Sequence, residues 1–404
     1  MPPTPASPTS TAKIKGKALV FSSLHYFDHN STTPLASEVA ATLSAAVRDV
    51  YGNPSSTHRA GQLARQRLEE SRRTIADILH VAPAEIVFTS GGTESNNLAI
   101  LGLLRNAPKP AHAVTLAIEH PAVLEPFRQL ENEGIAVTYV KSAESLAAAL
   151  RDETLLVSVM HANNETGAIQ PLDEIAKLVR LRRTAGQTIY LHSDGVQAFG
   201  KIPVDLSRTP VDLYSLSAHK IFGPKGVGAL FVRKNTPLQR IQFGGRHERE
   251  RRPGTENVPS AIAFAHAAEL AVASSAEIVA TLRDQFETQL RSRLPDIEIN
   301  AAQTPRLPNT SNILFRGISA EALVIALDMR QMAVSTGAAC SSGSLEPSHV
   351  LLSMGLTRDE ARSSIRFSFG RDNSTAEITA LTDAVVDSVT RLRQRNAKEA
   401  RLAG

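Results

Sequence analysis

The chain has 404 residues, of which 42% are hydrophobic and 21% are charged, and its formal net charge is +4. No stretch approaches the ~18 consecutive apolar residues of a membrane span. The chain has no long block of lysines or arginines, so its charge does not indicate direct nucleic-acid binding. The single cysteine excludes an internal disulfide and any metal or iron–sulfur cage built from several cysteines of the chain, and it favours a cytoplasmic protein, because thiols stay reduced there.

The first 25 residues differ in composition from the rest. They are rich in proline, serine and threonine and carry three lysines but no arginine, without the apolar core of a secretory signal. This composition favours a disordered leader over a transit peptide, which would be rich in arginine. Beyond it, the length predicts two domains: a large one over residues 26–265 and a small C-terminal one over 266–404.

In chain order, the hydrophobic pattern first predicts two amphipathic helices, over 37–50 and 59–80. A strand, a Gly-Gly turn and a helix follow over 85–101, and a buried strand over 113–120 precedes a helix that begins near Pro121. Further strands are predicted at 136–140, 155–160, 188–194, 212–220 and 226–232, with helices such as 171–182 between several of them. This alternation predicts an α/β fold with a mainly parallel sheet flanked by helices.

The remainder is predicted to be mixed α+β. One long helix over about 260–294 contains the domain boundary and leads to a strand near 311, a helix at 319–328, a strand at 363–370 and a closing helix from about 375. The loop 335–350, STGAACSSGSLEPSHV, holds the only cysteine, Cys340. A structural cysteine usually lies in an apolar core. The small residues around Cys340 predict instead that its thiol is accessible.

Polar side chains follow several predicted strands, and open parallel sheets bind ligands at the carboxyl ends of their strands. Lys220 ends one strand and is a candidate Schiff-base residue, because a partly buried amine can lose its proton and attack a carbonyl. The alternative is a solvated lysine beside a turn. Asp194 ends another strand, where it either pairs with a protonated pyridine nitrogen or caps a helix. Gln197 could then reach the phenolic oxygen of the same ring.

Three further stretches suggest parts of one cleft. TSGGTESNN (89–97) places glycines at a strand-to-helix turn, which suits a phosphate, although an ordinary turn and N-cap has the same pattern. His120 and the cluster HANNETG (161–167), with His161, Asn163 and Asn164, end two more predicted strands. Convergence of these groups on one cleft is expected.

Two charged stretches allow different interpretations. Arg366 lies in an apolar strand, where its charge needs either a substrate carboxylate or a structural ion pair. The charge-dense stretch 244–257 indicates a solvated loop, in which a Pro-Gly-Thr turn could present Thr255 to an anion.

Together these stretches resemble the cysteine desulfurases of the NifS/IscS type, pyridoxal-phosphate enzymes of fold type I in the class V aminotransferase group. The resemblance covers about residues 26–395. It rests on motifs that match in order: FTSGGTESNNLAI, IEHPAVL, HANNETG, HSDGVQAFGK, SAHKIFGPKGVGAL, RRPGTENV, SSGSLEPSHVL and SSIRFSFGR. The loop around Cys340 resembles the long active-site loop of that type, and the Arg-x-Gly-His-His-Cys pattern of the other type is absent.

The resemblance implies pyridoxal 5′-phosphate as cofactor and conversion of L-cysteine to L-alanine, with the sulfur passing to Cys340 as a persulfide. Lys220 would hold the cofactor covalently, and His120 would join Lys220 and Cys340 in catalysis. Arg366 and Asn164 would bind the substrate. The other cofactor contacts would come from Gly92, Thr93, His120, Asn164, Asp194, Gln197, Ser217 and His219, with Thr255 supplied by the second subunit of a homodimer.

The resemblance also implies that the sulfur moves on to acceptor or scaffold proteins, for iron–sulfur cluster assembly, thio-cofactor synthesis or tRNA thiolation. No metal is expected in the cofactor site, although Cys340 could transiently ligate iron or a cluster. A selenocysteine lyase, or another lyase or aminotransferase of the same fold, is the alternative function.

Overall fold

The computed structural model describes residues 24–337 and 346–403. Nearly all of the predicted leader, and Cys340 itself, lie outside the described residues. Strands and helices alternate along most of the described residues. The strands are β1 (His25–Tyr26), β2 (Ile86–Thr89), β3 (His112–Leu116), β4 (Ala136–Val140), β5 (Thr154–Ser158), β6 (Tyr190–Asp194), β7 (Leu213–Ser217), β8 (Gly228–Val232), β9 (Ile297–Ile299), β10 (Thr310–Phe315), β11 (Met332–Ala333) and β12 (Ser364–Ser368).

Helices connect most of these strands. They are α1 (Ser37–Asp49), α2 (Arg59–Leu79), α3 (Gly92–Leu104), α4 (Pro121–Asn132), α5 (Leu146–Ala149), α6 (Leu172–Thr184), α7 (Val258–Ala273), α8 (Ala276–Arg293), α9 (Ala320–Asp328), α10 (His349–Ser353), α11 (Arg358–Arg362) and α12 (Thr375–Ala403). Short 3-10 turns complete the chain, including Ala218–Lys220 directly after β7.

The largest sheet in the described chain has the order β2-β8-β7-β6-β5-β3-β4. Strand β8 runs antiparallel to β2 and to β7, and every other pair is parallel. The predicted mainly parallel sheet is therefore confirmed. Because two antiparallel steps restore the direction, β2 runs the same way as β7, and its carboxyl end lies at the same edge as those of β3, β5, β6 and β7.

Helices cover both faces of this sheet, so its strands are largely buried, except for the edge strand β4. Alternate residues of one strand enter different cores: Tyr214 and Leu216 of β7 pack in the core with α2, α6 and α7, whereas Leu213 packs in the core with α3 and α4. This period of two is the expected consequence of strand geometry. It explains why the strands show nearly continuous apolar runs.

A second, smaller core lies around the antiparallel sheet β12-β10-β9. Phe286 of α8 contacts Phe367 of β12 and Phe369, and Phe315 of β10 contacts Phe367. The short parallel pair β1–β11 adds Phe27 to the same core. The division at residues 265 and 266 stays a prediction.

The single helix predicted over 260–294 is wrong. Helix α7 ends at Ala273 and α8 begins at Ala276, at an angle of 66°. Ser274 and Ser275 between them have extended backbone, and the Ser274 hydroxyl donates to the carbonyl oxygen of Leu270. Serine hydroxyls compete in this way with helical hydrogen bonding, so α7 packs in the first core and α8 in the second.

The prediction that residues 244–257 form a solvated loop is wrong for Glu248. Its side chain is buried and forms a bidentate ion pair with Arg72 of α2, through contacts of 2.7 and 2.8 Å. The charge of a buried arginine requires such a partner, and this one is 176 positions away in the sequence.

Within the described chain, no helix by itself has the length and apolar character to cross a membrane. Helices α7 and α8 reach that length and composition only when taken together across their bend.

Candidate active site

A cavity of about 310 Å³ opens at the carboxyl edge of the large sheet. It collects side chains that follow β2, β3, β5, β6 and β7, together with Arg366 from β12 of the smaller core. Most residues singled out from the sequence line it: Gly92, Thr93, His120, Asn164, Asp194, Gln197, Ser217, His219, Lys220 and Arg366. The expected convergence on one cleft is therefore observed, while the role of each residue stays a prediction.

Lys220 reaches the cavity from the 3-10 turn after β7. Its Nζ donates to the backbone carbonyl oxygens of Asn30 and Ser31, each at 2.7 Å. These two oxygens stabilise the protonated amine in this arrangement, because each carbonyl dipole points its negative end at the charge. Lys220 is therefore not the solvated lysine that the sequence allowed as the alternative.

Asn30 lines the cavity and was not singled out from the sequence. Every polar atom of its backbone and side chain is hydrogen-bonded, and the residue is 1% exposed. Its partners in the large-domain part are Asn164, Gln197, Lys201 and Lys220, and those from the smaller core are Asn309, Thr310 and Ser368. Asn30 thus ties Lys220 and Gln197 to the smaller core. The only hint in the sequence is the polar run HNSTT after Asp28.

Asp194, at the end of β6, is followed by a turn and not by a helix, so the predicted helix cap is wrong, and its pairing with a pyridine nitrogen stays a prediction. Its Oδ1 accepts from the backbone N–H of Val196 at 3.0 Å, a bond within the turn that follows β6. Its Oδ2 accepts from Nδ2 of Asn96 at 2.6 Å, and the carboxylate still lines the cavity. The side chain is therefore held in one orientation without being withdrawn into the turn that follows it.

Gln197 is oriented by its neighbour Lys201. The Nζ of Lys201 donates to Oε1 of Gln197 at 2.6 Å, and Nε2 of Gln197 donates to the carbonyl oxygen of Asn30 at 2.9 Å. Burial, together with the charges of Lys220 and Arg366, holds the pKa of Lys201 well below its ordinary value. Because Oε1 of Gln197 already accepts from Lys201, the group that Gln197 can offer to a ligand is an N–H of its Nε2.

The first turn of α3 forms a cradle for an anion. A Cβ at Gly92 would lie 2.6 Å from Cγ2 of Val196, so only glycine fits there. The buried hydroxyl of Ser217 has no hydrogen-bond partner among the described residues. His219 lies beside it, and burial with the nearby lysine charges lowers its pKa to about 4. An orphaned hydroxyl beside free helix N–H groups fits a phosphate.

His120 caps the start of α4. Its Nδ1 accepts from the backbone N–H of Ala122 at 3.0 Å, so the neutral ring carries its proton on Nε2. Burial lowers its pKa most, and the charges of Lys220 and His349 lower it further, against an opposing effect of Asp194. His120 is accordingly neutral at physiological pH.

Arg366 is paired and also lines the cavity. Its Nη2 donates to Oδ1 of Asp28 at 2.7 Å and to Oγ of Ser31 at 2.6 Å, and its Nη1 donates to the carbonyl oxygen of Asn164 at 3.0 Å. The structural ion pair is thus present. Its buried Nε has no acceptor among the described residues, which leaves a donor for a ligand.

Three predicted groups do not line the cavity of this chain. His161 contacts the hydroxyl of Tyr214, and Asn163 bonds the backbone of its own turn and of Ile118. Thr255 is exposed and does not line the cavity, and its contribution to the site of a second subunit stays a prediction. Cys340 lies outside the described residues, although Gly337, three positions before it, lines the cavity.

Comparison with known proteins agrees with this geometry. The family described as aminotransferase class V matches residues 25–381. A cysteine desulfurase IscS of Dictyoglomus turgidum is 41% identical over 379 residues, which cover 91% of this chain and 95% of the relative. The chain belongs to the cysteine desulfurases of this family.

Solved structures resemble the chain over the same extent. A NifS-like protein superposes with a TM-score of 0.84 and 34% identity, covering 91% of this chain and 100% of its own. SspA in complex with cysteine has a TM-score of 0.77 and 33% identity, covering 85% and 98%. The predicted fold type of the cysteine desulfurases is thereby confirmed.

Proposed function

We propose that this chain is a pyridoxal-phosphate-dependent cysteine desulfurase that converts L-cysteine to L-alanine and takes the sulfur onto Cys340. The observation that carries the proposal is the meeting of Lys220, Asp194 and Arg366 in one cavity, with Gly337 at the start of the cysteine segment. The names of the relatives support the reaction, and the cysteine complex of SspA supports the substrate.

The cavity fits pyridoxal phosphate. Asp194 would face the pyridine nitrogen, Gln197 would donate to the ring oxygen, and Lys220 would hold the cofactor covalently. The phosphate would take the cradle of Gly92, Thr93, Ser217 and His219, where the Ser217 hydroxyl lacks a partner. When bound, this cofactor delocalises the electron pair released at the substrate Cα.

The chain's own residues would then perform the following work. Nε of Arg366 donates to the substrate carboxylate and sets the position of its Cα. The Nζ of Lys220 takes the Cα proton, and the carbonyl oxygens of Asn30 and Ser31 accept from the resulting ammonium group. The same proton can return to the product, because the amine stays within the cavity.

Cys340 acts as a thiolate, since the thiol is a poor nucleophile and an ordinary cysteine has a pKa of about 8.5. Its sulfur attacks the substrate sulfur, so an S–S bond forms while the substrate C–S bond breaks. The electron pair of the broken bond stays with the three-carbon fragment, which takes up protons and leaves as alanine. His120 is neutral and caps α4 through Nδ1, so in this arrangement its Nε2–H is a donor.

We also propose a homodimer that brings Thr255 to the second site, a protein acceptor for the sulfur, and a cytoplasmic location.

The test is a single-turnover reaction of the holoenzyme with sulfur-labelled L-cysteine, followed by alanine analysis and intact mass measurement. Because the chain has one cysteine, a persulfide can form only on Cys340. Cys340→Ser should keep the cofactor absorption and lose both the added sulfur and alanine formation. Undiminished alanine formation and sulfur release by that variant would contradict the proposal, and would indicate the lyase alternative instead.

A further inference from the structure

Lys201 contacts two residues of the active-site cavity without lining that cavity itself. Its Nζ lies 2.6 Å from Oε1 of Gln197 and 2.9 Å from Oδ1 of Asn30, and both of these residues line the cavity. The side chain of Lys201 borders a different cavity, of about 230 Å³, at the bend between α7 and α8. Any contact effect of Lys201 on a ligand of the site must therefore pass through Gln197 or Asn30.

The turn after β6 brings Lys201 and Gln197 together. Its backbone N–H groups bond to carbonyl oxygens four positions earlier, as from Phe199 to Gly195 at 2.9 Å. The chain thus has the pitch of a helical turn, in which residues four apart are neighbours. Gln197 and Lys201 have this spacing, so the contact between them is set by the local backbone.

The direction of these hydrogen bonds follows from the atoms that take part. Both partners of the Lys201 Nζ are amide oxygens, which can only accept, so the amine donates to each of them. The Nε2 of Gln197 is consequently turned away from Lys201, and one of its N–H groups donates to the carbonyl oxygen of Asn30 at 2.9 Å. The other N–H is the one that Gln197 can offer in the cavity.

Asn30 extends the same arrangement to Lys220. Its carbonyl oxygen accepts from Gln197 and also from Nζ of Lys220 at 2.7 Å, while its Oδ1 accepts from Lys201 and from Nδ2 of Asn309. Gln197 is 5% exposed, and Lys201 is the donor to its Oε1 among the described residues. Without the Lys201 amine this buried oxygen would lack a donor, which is costly, and the amide would be held at its nitrogen alone.

The charges around Lys201 leave this arrangement in place. Burial, then the charges of Lys220 and Arg366, lower its pKa, but a neutral amine still has two N–H groups for its two acceptors. His29 and His219 also lie in the field of Lys201, and each has a pKa lowered to about 4, so both are neutral at physiological pH. When Lys201 is protonated, its charge polarises the Gln197 amide and strengthens the remaining N–H as a donor.

We propose that Lys201 is a positioning residue for the cofactor, because it holds the Gln197 amide so that one N–H is offered to the ring oxygen. This inference rests on the proposed function, since it requires pyridoxal phosphate to lie beside Gln197. A donor to that oxygen stabilises its negative charge and competes with the proton that the oxygen shares with the Lys220 linkage. The donor therefore lowers the pH at which this proton leaves.

The test is a pH titration of the visible absorption of the holoenzyme, which reports the proton of the linkage between Lys220 and the cofactor. Lys201→Met keeps the apolar stem and removes the amine, and it should raise the midpoint by about one pH unit, as expected for one hydrogen bond to a charged group. Gln197→Ala should raise the midpoint at least as far. The double variant should shift no further than Gln197→Ala, because both changes remove the same donor.

Two further variants separate positioning from general damage. Lys201→Arg should keep the wild-type midpoint, because a guanidinium only donates and the cavity beside Lys201 has room for the larger group. It also serves as the second test if Lys201→Met does not fold. Lys177→Met removes an exposed ion pair with Glu174 of α6 and should leave the midpoint unchanged.

The outcomes distinguish this inference from the function on which it rests. An unchanged midpoint in Lys201→Met would overturn the positioning role and leave the desulfurase function intact. So would an equal shift from Lys201→Met with and without Gln197, which would indicate a direct effect of charge, or a shift in Lys201→Arg as large as in Gln197→Ala. A wild-type chain that shows no visible absorption of covalently held cofactor after loading would overturn both.

Discussion

Asn96 donates from Nδ2 to Oδ2 of Asp194 at 2.6 Å, and this bond joins the first turns of α3 to the end of β6. Both side chains are buried. The same helix start forms the cradle proposed for the phosphate, so one element would hold that group and also orients the Asp194 carboxylate.

Replacing Asn96 by alanine should therefore impair the site although Asn96 has no assigned role in the reaction. Loss of a hydrogen bond to a charged group amounts to about 1.5–3 kcal/mol, which predicts a decrease of about 10- to 100-fold in kcat/KM for L-cysteine. Asn96→Asp should be more harmful, because it places two carboxyl groups in contact. Steady-state kinetics with a cofactor titration measure both effects, and wild-type kcat/KM in Asn96→Ala would refute the prediction.

Lys220→Ala should abolish the visible absorption of covalently held pyridoxal phosphate and stop alanine formation. The reason is that no other group occupies the position of its Nζ, which contacts the carbonyl oxygens of Asn30 and Ser31. Absorption spectra before and after borohydride treatment measure the attachment. The exposed Lys234→Ala variant is the matched control, and an absorption band that survives in Lys220→Ala would exclude this assignment.

The pH dependence of kcat/KM should show that His120 works as the neutral ring. Burial and the positive neighbours lower its pKa below the ordinary value of about 6.5. Protonation of the Cys340 thiolate lowers activity as pH falls through the pKa of that thiol, whereas the acidic limb that belongs to His120 should begin only below about pH 6.5, because protonation at Nδ1 breaks the bond from Ala122. His120→Gln should lack this acidic limb. A limb below pH 6.5 that persists in His120→Gln would assign it to another group.

The Arg72–Glu248 pair should contribute strongly to stability. Both side chains are buried, and Oε2 of Glu248 also accepts from the N–H of Phe88. Glu248→Ala leaves the buried guanidinium with the half-exposed Glu69 as its remaining ion-pair partner, 3.1 Å from Nε, and we expect the free energy of unfolding to fall by about 3 kcal/mol, the lower end of the cost of breaking a buried pair. Urea unfolding measures this value. Glu125→Ala, which removes the exposed partner of Arg128, should cause no measurable change, and equal effects of the two variants would contradict the prediction.

Local patterns were sufficient to locate most elements. The strand predicted at 136–140 is β4, and the helices predicted at 37–50 and 59–80 are α1 and α2 to within one residue at each end. These segments could be predicted because their apolar residues recur with the period of the element itself. The break between α7 and α8 was missed, since two serines in an alanine-rich run are compatible with a helix until the two ends pack in different cores.

The candidate site shows the same division between sequence and structure. Lys220, Asp194, His120 and the glycines before α3 could be identified because each ends a strand, and the carboxyl ends of parallel strands share one edge of a sheet. Asn30, Asn96 and Lys201 could not be identified as partners of these residues. Their contacts depend on which segments meet in space.

The sequence by itself determined the alternation of strands and helices, the chemical groups available to the site, and the uniqueness of the Cys340 thiol. These features follow from side-chain chemistry and from periodicities only a few residues long. The tertiary structure decided the antiparallel placement of β8, the burial of Glu248 against Arg72, and the contact of Glu165 with Ser348 across 183 positions. Such contacts depend on how the two cores pack together, and no local periodicity encodes that packing.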